Sequence, residues 1–245
     1  MKLLAVETAT GRQSVAILDG TTVLGRSDED VGRSHAKWLV PTIDRLLRSS
    51  GLALSGLDGF AVSIGPGSFT GLRVGLATLL GFRTVTGLPL VAVPTLEALA
   101  WNLPDEPRSL CPVLKAKTGE VYWACYRWEK AGPLTRLTEE RVGPLESLAR
   151  SVQEPMVMLG EGWSIYQNEL RSLLGTGSSR FCEAPLEAME VSAVSVGLAG
   201  LARLARGEIA RQGIAPLYIQ RAEAEVNWQR RAAVAQLAHA GGRRG

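Results

Sequence analysis

GFAVSIGPGSFTGLRVGLATLLGFR is the stretch, from Gly59 to Arg83, on which the fold of this chain depends. Its first part, Phe60–Ile64, is short and apolar and predicts a buried strand. Gly-Pro-Gly at residues 65–67 then predicts a tight turn, and Ser68 is placed to cap a long helix. Such a turn leaves backbone amides free for an anion, but the GxGxxxG spacing matches neither the dinucleotide nor the Walker pattern.

The predicted helix after this turn carries two different faces. Its apolar face consists of Phe69, Leu72, Leu76, Leu79 and Leu80. A second face consists of the small residues Gly71, Gly75 and Thr78. A helix of this kind is either wholly buried or has a partner on each side.

Composition indicates a globular chain without a membrane-spanning segment. The 245 residues are 46% hydrophobic and 21% charged, and the net charge of +3 does not by itself predict nucleic-acid binding. The apolar run at the N-terminus ends at Glu7, which is too short for an export signal. Three scattered cysteines without a CxxC motif are expected to be free, buried thiols, so we predict a cytoplasmic protein.

The order strand-strand-strand-helix-strand-helix-strand-helix occurs twice along the chain, which predicts two α/β lobes with mixed sheets. Proline residues near position 104 mark the expected boundary, so the lobes are predicted as residues 1–103 and 104–245. The last predicted helix, Glu223–Ala240, could pack back on the first lobe.

One short sequence similarity between the two halves supports the duplication: the first predicted strand of each half ends in Thr-Gly, at residues 10–11 and 118–119. In duplicated folds of the actin, sugar-kinase and Hsp70 type, a nucleotide lies between the lobes and each such loop usually brings a carboxylate to a magnesium–phosphate group. The first loop here offers Glu7, but the second offers Lys115, which supplies no oxygen ligand and repels a cation. Lys115 could instead touch a phosphate or pair with Glu7. We therefore favour a vestigial cleft over a hydrolytic site, and its candidate residues are Glu7, Thr8, Thr10, Lys115 and Thr118.

Histidine-based metal chemistry is excluded by the residues available. The only histidines are His35, expected at the surface, and His239, so no HxxxH or HExxH motif exists. Ser68 has no GxSxG context and no evident base, so we interpret it as a helix cap rather than a nucleophile. No catalytic residue and no metal site are predicted.

Several motifs, in the correct order and over nearly the whole chain, resemble those of the bacterial TsaB family, also called YeaZ. They are LAVETAT (Leu4–Thr10), GPGSFTGLRVG (Gly65–Gly75), TGEVYWACY (Thr118–Tyr126), GEGW (Gly160–Trp163) and PLYIQR (Pro216–Arg221). The resemblance implies a two-lobed actin-like ATPase fold. It also implies a non-catalytic role in adding threonylcarbamoyl to N6 of the tRNA adenosine beside the anticodon.

Partners follow from the same resemblance. They are a TsaD-like catalytic paralogue, a TsaE-like ATPase and, in isolation, a second copy, with tRNA reached only through the complex. No cofactor is implied, although a nucleotide at the complex interface is conceivable. Two departures from the family pattern, Glu7 for Asp and Lys115-Ala116-Lys117 for Asp-Ala-Arg, weaken any claim to nucleotide binding.

The resemblance further implies that the first two helices, about Ser34–Ser49 and Ser68–Arg83, meet the same helices of a partner as a four-helix bundle. The implied contact residues are Leu39, Ile43, Leu46, Phe69, Leu72, Arg73, Leu76, Leu79, Leu80 and Arg83. A charge at Leu76 or Leu79 is then expected to abolish dimerisation while the lobe still folds.

Two rival interpretations remain. One is a stand-alone actin-fold ATPase or small-molecule kinase, which the Glu7 and Lys115 loops disfavour. The other is a metallopeptidase, which the scarcity of histidine makes untenable.

Overall fold

Two mixed β-sheets form the framework of the protein in a computed structural model, which describes residues 1–32, 34–130, 132–175, 180–210 and 213–219. The first sheet consists of β1 (Lys2–Glu7), β2 (Arg12–Asp19), β3 (Thr22–Asp30), β4 (Gly59–Ser63) and β5 (Leu90–Val93). Its strand order is β3-β2-β1-β4-β5, with β1 antiparallel to β2 and parallel to β4.

The second sheet repeats this arrangement. Its strands are β6 (Ser109–Lys115), β7 (Glu120–Trp123), β8 (Tyr126–Trp128), β9 (Leu134–Arg136), β10 (Arg141–Pro144), β11 (Met156–Leu159) and β12 (Phe181–Glu183). The main order is β10-β7-β6-β11-β12, with β6 antiparallel to β7 and parallel to β11, while β8 pairs with β6 and β9. The two halves thus share one topology, which confirms the predicted duplicated α/β fold.

In the described residues, six α-helices follow the strands in the predicted alternation. They are α1 (His35–Ser49), α2 (Phe69–Thr86), α3 (Thr95–Ala100), α4 (Leu145–Ser151), α5 (Glu161–Leu174) and α6 (Ala193–Ala205). None of the helices in the described ranges is long and apolar enough to cross a membrane.

The second half departs from prediction at its hairpin. A single strand was expected over Glu120–Trp128, and the structure divides it into β7 and β8. The division lies at Cys125, whose backbone amide donates to the Thr138 hydroxyl (2.9 Å). The expected third strand over 134–142 is likewise two short strands, β9 and β10.

Residues of β1 alternate between the two faces of the first sheet, and helices cover both faces at this strand. Leu4 and Val6 of β1 pack in a cluster with the apolar residues of α1 and α2. Leu3 and Ala5 point the other way and pack in a cluster that includes Val196 of α6. Both faces of this strand are therefore buried.

One helix from each half of the chain packs against the other half. Helix α6 comes from the second half of the chain but packs against β1, β2 and β4 of the first sheet. Helix α3 comes from the first half and packs against both β6 and α6. The packing of these two helices therefore crosses the lobe boundary predicted between residues 103 and 104. The boundary itself stays a prediction. The predicted helix Glu223–Ala240 lies outside the described residues.

Candidate functional site

The start of α2 is held by its own cap and by the loop after β1. The Ser68 hydroxyl accepts a hydrogen bond from the Gly71 amide (3.2 Å), which confirms the predicted N-cap. The Ser68 amide donates to the Ala9 carbonyl oxygen (2.6 Å) and ties the Gly-Pro-Gly turn to β1. Ser68 is therefore a structural residue of this turn.

The small-residue face of α2 lies against the chain itself. Thr8 donates its hydroxyl hydrogen to the Gly71 carbonyl oxygen (2.8 Å). A Cβ atom at Gly71 would lie 2.0 Å from the Thr8 carbonyl oxygen, and one at Gly75 would lie 2.4 Å from Thr8 Oγ1. These glycines let α2 approach the end of β1. This face therefore packs on the chain itself, whereas the sequence left open which face of the helix meets a partner.

Most of the implied contact residues belong to the protein's own core. The buried ones are Leu39, Ile43, Leu46, Leu72, Leu76 and Leu79. Five of these six, all except Leu72, pack in one cluster together with Phe60 and Val62 of β4. Within the described chain this apolar face is closed, so the idea that it waits for another subunit is corrected. Phe69, Leu80 and Arg83 are half-buried, and Arg73 is exposed.

Residues 213–219, which we call the strap, cover part of the remaining surface near the start of α2. The Tyr218 ring stacks on Phe69 with ring centroids 4.7 Å apart, and Arg73 Nε donates to the Tyr218 hydroxyl (2.9 Å). The Leu217 amide donates to the Ile64 carbonyl oxygen (2.6 Å). Phe69 and Arg73 thus hold the strap. The sequence alone does not indicate this role, although the PLYIQR motif begins within the strap at Pro216.

Three large apolar side chains lie on the exposed surface of α1 and α2, and we call this exposed surface the outer helix face. Trp38 and Val40 on α1 are 42% and 49% exposed, and Val85 on α2 is 84% exposed. The Lys37 ammonium lies 4.7 Å from the centroid of the Trp38 ring. Helical periodicity alone could not identify this face, because these residues lie off the main apolar stripe of each helix.

A cavity of about 350 Å³ lies between the two lobes at the start of α2. Among the candidate cleft residues, Thr10 and Lys115 line it, together with Lys117, Glu161 and Tyr218. Glu7 and Thr8 are fully buried, and Thr118 is exposed in the turn after β6. The structure therefore brings together only part of the predicted set, and adds Glu161 from the start of α5.

Glu7 points into the protein. One carboxylate oxygen accepts a hydrogen bond from the Ala9 amide. Burial raises the pKa of Glu7 to about 7, partly opposed by the hydrogen bond from the Ala9 amide. Burial also raises the pKa of Glu161. His35, expected at the surface, is 3% exposed and donates from Nε2 to the Thr10 carbonyl oxygen (3.0 Å).

This set of residues does not suit the magnesium ion that actin-like nucleotide sites use. Magnesium requires oxygen ligands, whereas the second loop presents the Lys115 ammonium and the Glu7 carboxyl is enclosed and partly protonated near neutral pH. Within the described ranges there is also no cluster of three or more His, Cys, Asp or Glu side chains that could hold a metal.

Known proteins match both the sequence and the fold. The sequence model of the family "TsaD: tRNA N6-adenosine threonylcarbamoyltransferase" matches residues 25–228. The tRNA threonylcarbamoyladenosine biosynthesis protein TsaB of Escherichia coli K12 is 33% identical over 172 residues, covering 68% of this chain and 74% of that protein.

Solved structures with similar folds support the same family as the sequence matches. YeaZ from Pseudomonas aeruginosa is 30% identical, with a TM-score of 0.72 over 89% of this chain and 99% of that one. The ROK hexokinase from Thermus thermophilus, at 13% identity, has a TM-score of 0.50 over 84% of this chain and 100% of its own, which shows the shared actin-like fold alone. On these matches of sequence and structure, the chain belongs to the TsaB family.

Proposed function

We propose that this chain is a non-catalytic subunit of the assembly that makes threonylcarbamoyladenosine on tRNA, where it binds and supports a TsaD-like catalytic paralogue. The observation that carries the proposal is the similarity to Escherichia coli TsaB, whose name states a role in this biosynthesis. The modified position is the N6 atom of the adenosine next to the anticodon.

The chemistry of the lobe cavity supports a non-catalytic role. A subunit that transferred a group with ATP and magnesium would present oxygen ligands to the metal. Here Lys115 and Lys117 line the cavity, and Glu7 is buried below it. The cavity could accept an anion, but these residues supply no pair of metal-binding carboxylates.

The outer helix face is the surface we assign to the partner. Trp38, Val40 and Val85 are large, apolar and exposed on two helices that pack against each other. Exposed tryptophan is frequent among the residues that carry most of the energy of a protein interface. A second copy of the chain would use the same face in the absence of the paralogue. A TsaE-like ATPase and tRNA would join through the complex, in the cytoplasm.

Co-expression with a tagged TsaD-like subunit tests this assignment. Val85→Asp and Trp38→Asp are each expected to weaken capture at least tenfold, because an interface residue of this kind is worth about 2 kcal/mol and an unpaired charge adds to the loss. Leu186→Asp is the matched control. Leu186 is 86% exposed, like Val85 at 84%, but lies after β12 on the second lobe.

Equal capture of all the variants would reject the outer helix face. A tRNA modification assay with the captured pair then reports whether the chain supports the catalytic subunit. The rival ATPase interpretation is tested on the purified chain alone. We expect no hydrolysis of ATP with magnesium, and hydrolysis that Lys115→Ala alters would reinstate that interpretation.

A further inference from the structure

Two of the cysteines lie opposite each other on neighbouring antiparallel segments. Leu110 of β6 faces Tyr126 of β8, and Val113 of β6 faces Trp123 of β7. The two pairs are separated by the same number of residues on both sides, so no residue is inserted between them. Cys111 therefore faces Cys125.

This placement meets the geometric requirement for a disulfide. Residues directly opposite in an antiparallel pair have Cα atoms about 4.5–5.5 Å apart and side chains on the same face. Disulfides span Cα separations of about 4.4–6.8 Å. The sequence alone does not show that Cys111 faces Cys125, because spacing along the chain does not reveal the register.

The two thiols differ in accessibility. Cys111 is fully buried within β6, whereas Cys125 is 2% exposed and lies between β7 and β8. The neighbouring Cys125 and burial raise the pKa of the Cys111 thiol. Cys125 is therefore positioned to react first and Cys111 second.

We propose that Cys111 and Cys125 are an oxidation site, at which a hydroperoxide converts the two thiols into a cross-strand disulfide. The Cys125 thiolate attacks one oxygen of hydrogen peroxide and the O–O bond breaks. The departing hydroxide takes up the thiol proton and leaves as water, so Cys125 becomes a sulfenic acid. Cys111 Sγ then attacks this sulfur, and the S–O bond breaks. The oxygen leaves as a second water with the Cys111 proton. Two thiols are oxidised and one peroxide is reduced to two waters.

Only a small oxidant can reach these two buried sulfur atoms. Cys111 is fully buried and Cys125 is 2% exposed, so large disulfide reagents cannot reach either sulfur in the folded chain. Hydrogen peroxide is close to water in size. It can approach from the surface cavity lined by Trp123, Thr138 and Arg141, since Thr138 is bonded to the Cys125 amide.

Mass spectrometry of the full chain tests the proposal. Reduced protein, freed of reductant, is treated with hydrogen peroxide, then unfolded in N-ethylmaleimide and weighed. We expect the mass before labelling to fall by about 2 Da and the number of labels to fall from three to one. Trypsin places the cysteines in separate peptides, 109–115, 118–127 and 181–203. The first two should appear linked.

Variants separate this site from general oxidation. Cys182→Ala removes the part-buried third cysteine and should leave the linked peptide unchanged. Cys111→Ala and Cys125→Ala should each abolish it. Three labels after peroxide would overturn the proposal. So would a link to Cys182, or oxygen added to Cys125 or to the neighbouring Met156, whose Sδ is 3.8 Å from Cys125 Sγ, without any linked peptide. If a variant fails to fold, the peptide map of the unaltered chain still decides.

Discussion

Gly71→Ala is the substitution that best separates an internal from an external role for the small-residue face of α2. The added Cβ would lie 2.0 Å from the Thr8 carbonyl oxygen, a backbone atom that cannot rotate away. Cβ contacts under 3.0 Å essentially do not occur in proteins, so α2 must move from the end of β1 by about 1 Å.

The expected loss of stability follows from three terms. Overpacking against backbone costs about 3 kcal/mol, the upper part of the usual range. Displacing α2 also weakens the Thr8–Gly71 hydrogen bond, which contributes about 1 kcal/mol. Alanine returns about 1 kcal/mol of helix propensity relative to glycine. We therefore expect a net loss of about 3 kcal/mol in the free energy of unfolding.

Urea denaturation followed by circular dichroism measures this loss, and Gly81→Ala is the control in the same helix. A Cβ at Gly81 meets no atom within 4 Å, so that variant should gain up to about 1 kcal/mol from propensity alone. Opposite signs at the two glycines are the expected result. If Gly71→Ala is as stable as Gly81→Ala but loses its partner, the face is external after all and our reasoning about α2 fails.

Two further substitutions test the buried residues of the first lobe. Leu79→Asp should unfold this lobe rather than merely separate subunits. Leu79 is fully buried, and an unpaired charge there costs about 4 kcal/mol or more. Circular dichroism with gel filtration distinguishes a folded monomer from an unfolded chain. Glu7→Gln should flatten the pH dependence of stability. The raised pKa of about 7 means that the folded state holds its proton more tightly than the unfolded chain, at 4.5, so this stabilisation is complete at low pH and is lost as pH rises through 7. The unaltered chain should lose about 3 kcal/mol between pH 4.5 and 8 in a denaturation series, and an equal loss in the Gln variant would show that Glu7 is not the group responsible.

Local signals were sufficient for the elements and for their order. The Gly-Pro-Gly turn and the cap at Ser68 are specified by neighbouring residues, so the start of α2 could be predicted to within one residue. The repeated order of strands and helices gave the two lobes for the same reason. Where a local preference was overridden, as at Cys125, a distant side chain supplied the competing hydrogen bond.

The assignment of faces could not be predicted in the same way. Periodicity shows that α2 has an apolar side and a small side, but it does not say which neighbour each side meets. The answer depends on Thr8, which is 63 residues from Gly71 along the chain. The strap had no periodic pattern to identify its role, and the facing of Cys111 and Cys125 required the strand register.

Helix α3 of the first half packs against the second sheet, and α6 of the second half packs against the first sheet. Neither half of the chain is therefore an independent folding unit. A chain cut after residue 103 would yield a first fragment whose sheet lacks the α6 cover, and a second fragment that carries α6 with no sheet beneath it. Neither fragment should be stable alone, yet the two mixed together should reassemble. A protein whose two halves share one topology can in this way be indivisible.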